Sequence, residues 1–198
     1  MWRTAAAVFA PLTLVFVAGI FFNRATSAFA RVESHGQAIV RAARESGIDP
    51  ALLAALIYVE SGGRALVHSP AGAVGLGQLR PGAAEEARGW LERRSAPGDG
   101  ASEPVSTDLS DPAANARLAA AYLAMMTERF DDVDLALAAY VAGPAAITDR
   151  LREASGDRAK ALQRMLSTPG GPGEYVRRVR SFEERFRERG FPDRVEAR

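Results

Sequence analysis

Beyond its first 30 residues, the chain alternates between apolar helical segments and short polar junctions. Apolar positions recur at helical spacing, and no stretch shows the period-two alternation of a half-buried strand. Two junctions, Asp49-Pro50 and Asp111-Pro112, join a capping carboxylate to a proline, which is a strong signal for the start of a helix. The pattern therefore predicts an all-α domain of about six to eight helices.

Five helices can be placed directly from these signals. They are Val32–Ser46, Ala51–Val59, Ala113–Phe130, Leu135–Ala142 and Gly173–Arg189. Glycines follow several of them, which is typical of helix ends. Two stretches rich in Gly, Ser and Pro separate the helices: residues 62–77 are expected to form a structured loop, and residues 95–110 a mobile surface insertion.

The first 30 residues have the layout of an export signal. Arg3 precedes a largely apolar stretch over residues 5–22, and Ala28 and Ala30 provide a small-residue cleavage site. We expect cleavage after Ala30, which leaves a domain of residues 31–198. The alternative is an uncleaved N-terminal membrane anchor over residues 1–30, because residues 5–22 are just long enough to span a bilayer. Both alternatives predict an exported protein of the periplasm or cell envelope, anchored in the inner membrane in the second case.

Charge and composition exclude several classes of protein. The formal net charge is +1, and 23 of the 25 basic residues and all 24 acidic residues follow Ala30, so no basic excess favours nucleic-acid binding. The chain has no cysteine, which excludes disulfides, thiolate zinc sites and a cysteine nucleophile. His35 and His68 have no acidic residues at metal-ligand spacing. We therefore expect neither a metal nor a cofactor.

One carboxylate is placed where it should hold its proton near neutral pH. Glu60 follows Leu53 and Ile57 by seven and three residues, so it shares the apolar face of its helix. Burial raises the pKa of a carboxyl group, and the helix dipole at the last turn also disfavours its ionised form. A group still protonated near neutral pH can act as a general acid. The alternative is an ordinary solvated carboxylate at a helix end, and spacing alone does not decide between them.

Five blocks of sequence form an ordered set around Glu60, over about residues 47–179. They are AALIYVESG at 54–62, SPAGAVGLGQL at 69–79, Asp111-Pro112 with Asn115 and Tyr122-Leu123, AAYVAGP at 138–144 and EYVRRV at 174–179. The first block resembles the catalytic helix of the soluble lytic transglycosylase family, the goose-lysozyme-like SLT group. The others are similar, in order, to that family's SPAGAxGLMQ, DPxxNI…YL, AYNAGP and ETxxYVxxV patterns.

The resemblance implies a lysozyme-like, goose-type α domain whose partner is the glycan strand of peptidoglycan. Such a domain cleaves the β-1,4 bond between N-acetylmuramic acid and N-acetylglucosamine. One glutamate, Glu60 by this resemblance, acts as acid and then as base, while the muramyl O6 hydroxyl closes on the anomeric carbon to leave a 1,6-anhydromuramyl end. This chemistry differs from the usual two-carboxylate plan of glycosidases. The matched blocks contain no obvious second carboxylate, because Glu33, Glu45 and Asp49 are more easily interpreted as surface and capping groups.

The resemblance also implies that two aromatic residues contribute to the binding of substrate. Tyr140 is expected to donate a hydrogen bond to Glu60 and to line the cleft. The alternative for Tyr140 is a core aromatic whose hydroxyl needs a partner in any case. Tyr175 is expected either to form a wall of the cleft or to anchor the last helix.

Three polar residues complete the implied substrate contacts, each with a structural alternative. Gln78 is expected to contact a sugar, or else to stabilise its loop through its amide. Ser69 is expected to bond Glu60 or the substrate, and Ser61 to bind substrate or simply to bond nearby backbone.

Two positions depart from the family pattern. Val141 stands where the family has an asparagine that bonds a sugar amide, and the loss of that contact should cost about 1–3 kcal/mol. Gly77 stands where the family usually has methionine, so we expect space, flexibility and a reshaped sugar site there. Two alternatives to a lytic transglycosylase follow: a muramidase of the same fold that uses water, and a catalytically weak or inactive glycan-binding module of a cell-envelope machine. The sequence does not identify a protein partner.

Overall fold

The structure, a computed structural model, describes residues 28–94 and 105–197, and these residues form an all-α domain. Residues 28–34 are helical and lead into nine further helices within these ranges. The helices are α1 Gly36–Ser46, α2 Pro50–Ser61, α3 Pro81–Arg94, α4 Pro112–Phe130, α5 Val133–Ala142, α6 Pro144–Glu153, α7 Arg158–Ser167, α8 Pro172–Glu188 and α9 Asp193–Glu196. Two isolated β-bridges tie the loop between α2 and α3, and no regular strand occurs among the described residues.

The two Asp-Pro junctions start helices as predicted. The Asp49 carboxylate accepts hydrogen bonds from the backbone amides of Ala51 and Leu52 at 2.7 and 3.2 Å. Asp111 caps α4 in the same way, with 2.7 Å to the amide of Ala113. These carboxylates satisfy amides that have no partner inside the first turn of a helix.

Helix α2 lies at the centre of the domain, packed against α1, α4 and α8. Residues 51–57 are buried on every side of the helix, not on one face only. The apolar face predicted for Leu53 and Ile57 is thus part of a fully enclosed helix. The burial ends at residues 58–60, which are half-buried, so Glu60 lies where α2 emerges from the core.

Several helix boundaries differ from the sequence prediction. Helix α5 ends before Gly143 as expected, but Pro144 immediately begins α6, because proline suits the first position of a helix. Helices α3, α6, α7 and α9 were not placed from the sequence. The helix predicted from residue 32 is interrupted by a turn at His35.

The folded domain includes residues on the leader side of the expected cleavage site. Ala28 and Phe29 are buried, and the Phe29 ring lies 4.7 Å from that of Tyr58 and 4.9 Å from that of Phe186 between centroids. Cleavage after Ala30 would remove this aromatic side chain from the core. The predictions for residues 1–27 and 95–104 lie outside the described residues. Among the residues that are described, no helix has the length and apolar character needed to cross a membrane.

Candidate active site

A cleft of about 410 Å³ opens at the C-terminal end of α2. The loop between α2 and α3, the start of α3 and the end of α5 form its other walls. It brings together five of the seven residues implied as site residues: Glu60, Ser69, Gln78, Tyr140 and Val141. The remaining lining residues are Ala71, Ala73, Leu79, Arg80, Ala83, Tyr122, Ala142 and Gly143.

Glu60 is the acid that lines this cleft. Burial raises the pKa of its carboxyl from 4.5 to about 7, while a hydrogen bond from Tyr175 and the positive charge of Arg178 act in the opposite direction. The predicted direction of the shift is confirmed. Near neutral pH the carboxyl therefore exists in both protonation states. Such a group is suited to donate a proton first and to accept one afterwards.

Tyr175, rather than Tyr140, donates the hydrogen bond to Glu60. The Tyr175 hydroxyl lies 2.6 Å from Oε1 of Glu60, whereas the Tyr140 hydroxyl donates to the carbonyl oxygen of Gly77 at 2.7 Å. The pKa values of both tyrosines are raised, first by burial and then by the nearby charge of Glu60. Both hydroxyls thus lie near the acid, but only packing of α8 against α2 gives the direct contact. Tyr175 belongs to the block EYVRRV at 174–179, and its resemblance to the family pattern was the only sign in the sequence that this tyrosine lies near Glu60.

Gly77 creates a close contact instead of space, so the expectation of a roomier site is wrong. A Cβ atom at Gly77 would lie 2.6 Å from Cβ of Ala119 and 2.9 Å from the Tyr140 hydroxyl. Glycine here lets the loop backbone approach α4 and α5 closely. The carbonyl oxygen of Gly77 is thereby placed to accept the Tyr140 hydrogen bond.

Asn115 fastens the same loop to α4. This side chain is fully buried, and its Oδ1 accepts a hydrogen bond of 2.8 Å from the amide of Gly77. Its Nδ2 donates to the carbonyl oxygens of Val74 and Leu109 at 2.9 and 3.0 Å. The amide is fully used inside the protein, so Asn115 shapes the floor of the cleft from below.

Ser61 supports the end of α2 and does not face the cleft. It is 1% exposed, and its hydroxyl donates to the carbonyl oxygen of Ile57 and accepts from the amide of Gly63, both at 3.2 Å. The structure therefore shows the backbone-bonding alternative. Its burial leaves no surface for contact with a sugar.

Ser69 and Gln78 line the cleft while also holding the loop together. The Ser69 hydroxyl accepts from the amide of Ala73 at 3.0 Å, and no bond to Glu60 is formed. The Gln78 amide donates to the carbonyl oxygens of Val67 and Gly75 at 3.1 and 3.0 Å. Its Nε2 is occupied by the loop, and the side chain remains half-buried at the cleft surface.

Val141 presents an apolar surface to the cleft. It is 49% exposed, although large hydrophobic side chains are normally buried in this domain. Val141 therefore lines the cleft as an exposed side chain that offers no hydrogen-bonding group.

No second carboxylate accompanies Glu60 among the described cleft-lining residues. The three other candidates have structural roles: Asp49 caps α2, and Glu33 and Glu45 each bind an arginine side chain. Within residues 28–94 and 105–197, no cluster of His, Asp or Glu side chains could hold a metal ion. The arrangement can supply one proton donor and acceptor to a bound ligand.

Comparisons with known proteins show which family this chain resembles. Two relatives are endo-type membrane-bound lytic murein transglycosylases A. The one from Klebsiella pneumoniae is 40% identical over 80 residues, 40% of this chain and 36% of the relative. The one from Cronobacter sakazakii is 30% identical over 145 residues, 67% of this chain and 64% of the relative. The chain thus spans less than two thirds of the length of these relatives.

Two solved structures have similar folds. An inactive mutant of the lytic transglycosylase Slt from Pseudomonas aeruginosa matches with a TM-score of 0.62 and 26% identity, over 81% of this chain and 25% of that chain. The 70 kDa soluble lytic transglycosylase of Escherichia coli matches with a TM-score of 0.57 and 28% identity, over 75% of this chain and 23% of that chain. They confirm the lysozyme-like all-α fold. Since the transglycosylase SLT domain matches residues 37–163, more than half of the sequence, this chain belongs to the transglycosylase SLT domain family.

Proposed function

We propose that this protein is a peptidoglycan lytic transglycosylase. It cleaves the β-1,4 bond between N-acetylmuramic acid and N-acetylglucosamine and leaves a 1,6-anhydromuramyl end. The observation that carries the proposal is a single cleft carboxyl, Glu60, whose pKa is raised to about 7 by burial. Membership of the SLT family and the names of the relatives support it.

Glu60 acts first as the general acid. Tyr175 donates to Oε1, so Oε2 is the oxygen available to carry the proton toward the glycosidic oxygen. Transfer of that proton lets the bond to the anomeric carbon break, and the N-acetylglucosamine leaves with a neutral hydroxyl. The electron pair departs with the leaving oxygen, and positive charge develops at the muramyl ring.

The resulting carboxylate then acts as the base. It takes the proton of the muramyl O6 hydroxyl, whose oxygen closes on the anomeric carbon to form the anhydro ring. Glu60 ends protonated, and no water is consumed. The hydrogen bond from Tyr175 and the charge of Arg178 stabilise the carboxylate between the two steps. This sequence needs no second carboxylate.

The sugar contacts are assigned to the exposed part of the cleft. Ser69, Gln78, Tyr140 and Val141 line it and are proposed to contact the glycan. Tyr175 acts on the reaction through Glu60.

The test is digestion of purified peptidoglycan by the wild type and by Glu60→Gln, with products identified by mass spectrometry. We expect anhydromuramyl products from the wild type and none from the variant. Glu184→Gln, which removes an exposed carboxylate from α8, is the matched control and should retain full activity. Reducing ends instead of anhydro ends would show a muramidase that uses water.

A second candidate is a catalytically weak or inactive glycan-binding module. Val141 favours it, because an apolar side chain replaces a hydrogen-bonding group at an exposed cleft position. Tight binding of glycan strands by a wild type that releases no products would support this candidate and contradict the first.

We also propose that the protein acts in the cell envelope and that the working protein retains Phe29. The relatives are named as membrane-bound, and the Phe29 ring packs in the core of the domain. Attachment through residues 5–22 is part of this proposal. Mass spectrometry of the protein isolated from fractionated cells tests it, and an N-terminus at Arg31 would contradict it.

A further inference from the structure

Arg80 places an unpaired positive charge in the proposed catalytic cleft. It lines the same cleft as Glu60, at the start of α3, and it is exposed. Among the residues that the structure describes, no carboxylate forms an ion pair with it and no group hydrogen-bonds to its side chain. Other arginines do have partners. Arg88, about two helix turns further along α3, forms ion pairs with two glutamates, and Arg117 forms one with a single glutamate.

The position of Arg80 does not stabilise the helix that it precedes. The Arg80 carbonyl oxygen accepts from the amide of Ala84, so Arg80 occupies the cap position of α3. Cap positions favour side chains that accept hydrogen bonds from the first amides, and positive charge there is unfavourable. Local stability therefore provides no reason for an arginine at this position.

The rest of the cleft does not neutralise this charge. Glu60 holds its proton for much of the time near neutral pH, and the guanidinium that influences its pKa is that of Arg178. The other polar lining groups are amides and hydroxyls, which suit neutral sugar hydroxyl and acetamide groups. A guanidinium differs from them because its planar pairs of N–H donors match the two oxygens of a carboxylate.

We propose that Arg80 binds a carboxylate carried by the muramyl residue, so that the cleft prefers muramyl glycans to neutral glycans. The inference rests on the proposed function, since the muramyl sugar is what brings a carboxylate close to the bond that is cut. That carboxylate has two possible sources. It belongs to the lactyl group itself in strands without peptides, or to the peptide attached to the lactyl group.

The test compares binding by Arg80→Gln and the parent protein, both in the Glu60→Gln background so that ligands are bound but not cut. Three soluble ligands of equal length are used: peptide-bearing muramyl glycans, the same glycans after removal of their peptides, and N-acetylglucosamine oligomers. We expect Arg80→Gln to weaken binding of carboxylate-bearing ligands about three- to tenfold, and not to change binding of the neutral oligomers. Added salt should reduce the difference.

The three ligands also identify the source of the carboxylate. Weaker binding of the peptide-free muramyl ligand alone assigns it to the lactyl group, and weaker binding of the peptide-bearing ligand alone assigns it to the peptide. Weaker binding of both shows that Arg80 accepts either carboxylate. Equal weakening for the neutral oligomers, or no weakening for any ligand, would overturn the proposal.

Controls separate a ligand contact from general electrostatics and from misfolding. Arg64→Gln removes an exposed arginine that does not line the cleft, and it should bind all three ligands like the parent. Arg80→Gln should melt at the same temperature as the parent or slightly higher, because it removes a charge from the start of a helix. The binding comparison does not depend on turnover, so a wild type that cleaves nothing contradicts the proposed function while the role of Arg80 is judged separately.

Discussion

Two parts of the cleft are built in different ways. In the acid pair, Glu60 and Tyr175, a half-buried carboxyl meets a buried tyrosine hydroxyl at 2.6 Å. In the rim of the cleft, Ser69, Gln78, Arg80 and Val141, the side chains are half-buried or exposed. The acid pair is held by the packing of α2 against α8. Most of the rim belongs to the loop between α2 and α3, and Val141 lies in the last turn of α5. Because these side chains are only half-buried or exposed, they can change with smaller effects on the fold.

Under the proposed function, this difference separates the chemistry from the recognition of substrate. A change in the acid pair alters the proton transfer itself, since it changes the pKa or the position of the carboxyl. A change in the rim alters how the glycan is bound and presented, as at Val141, while Glu60 stays in place.

The largest expected effect is that of Glu60→Gln, which removes the proposed proton donor. General acid-base catalysis contributes about 10²–10⁴-fold, so we expect a loss of activity within or above that range.

The same variant, Glu60→Gln, should become more stable relative to the wild type as the pH rises. The folded protein keeps the Glu60 proton up to about pH 7, whereas the unfolded chain releases it near 4.5, so wild-type stability falls as pH rises between these values. Thermal melting should therefore show the stability of the variant rising relative to that of the wild type from pH 4.5 to about pH 7. Parallel curves would contradict the raised pKa.

Gly77→Met tests how tightly the loop between α2 and α3 is packed against α4 and α5. The new side chain would overlap Ala119 and the Tyr140 hydroxyl, so we expect a loss of about 1–3 kcal/mol in the free energy of unfolding, as for other overpacked sites. Denaturant titration measures the loss. Gly82→Ala is the control, because a Cβ there meets no atom within 4 Å. Equal stability of Gly77→Met and the wild type would show that the loop can move away.

Val141→Asn restores a hydrogen-bonding group to the rim. Since the missing contact is worth about 1–3 kcal/mol, kcat/KM on peptidoglycan should rise at least about fivefold. The matched control is Leu66→Asn, which changes an exposed hydrophobic side chain outside the cleft lining. An unchanged or lower kcat/KM for Val141→Asn would mean that the rim binds the sugar without this contact.

Tyr175→Phe removes the hydrogen bond that favours the ionised form of Glu60. The pKa of Glu60 should rise further, so the fall of activity at high pH should move to higher pH. At pH 7 we expect a smaller decrease in rate, of about fivefold, from the loss of about 1 kcal/mol of stabilisation of the carboxylate. Tyr58→Phe, outside the cleft lining, should leave the pH profile unchanged. A profile that does not move for Tyr175→Phe would remove Tyr175 from the acid pair.

Much of the fold, and the position of the carboxyl proposed as the acid, could be predicted from sequence. The helix caps Asp49 and Asp111 could be predicted because a capping carboxylate accepts hydrogen bonds from amides only two or three residues away in the chain. Helical spacing placed Glu60 on the same face as apolar residues, and the ordered sequence blocks around it then pointed to Glu60 as the candidate acid. Helices α6 and α7 were missed, since α6 follows α5 with only Gly143 between them and proline there signals a stop as easily as a start.

The sequence by itself determined an all-α chain and its main helix starts, because these depend on interactions between residues close together in the chain. It also marked Glu60 as a candidate acid, but the burial that raises the pKa of this carboxyl comes from the tertiary structure. The tertiary structure decided which tyrosine bonds Glu60, because Tyr175 lies 115 residues away and reaches it only through packing of α8 on α2. It also decided that Gly77 closes the loop onto α4 and α5, and that Phe29 belongs to the core. Each of these outcomes depends on which surfaces meet, and spacing along the chain carries no information about that.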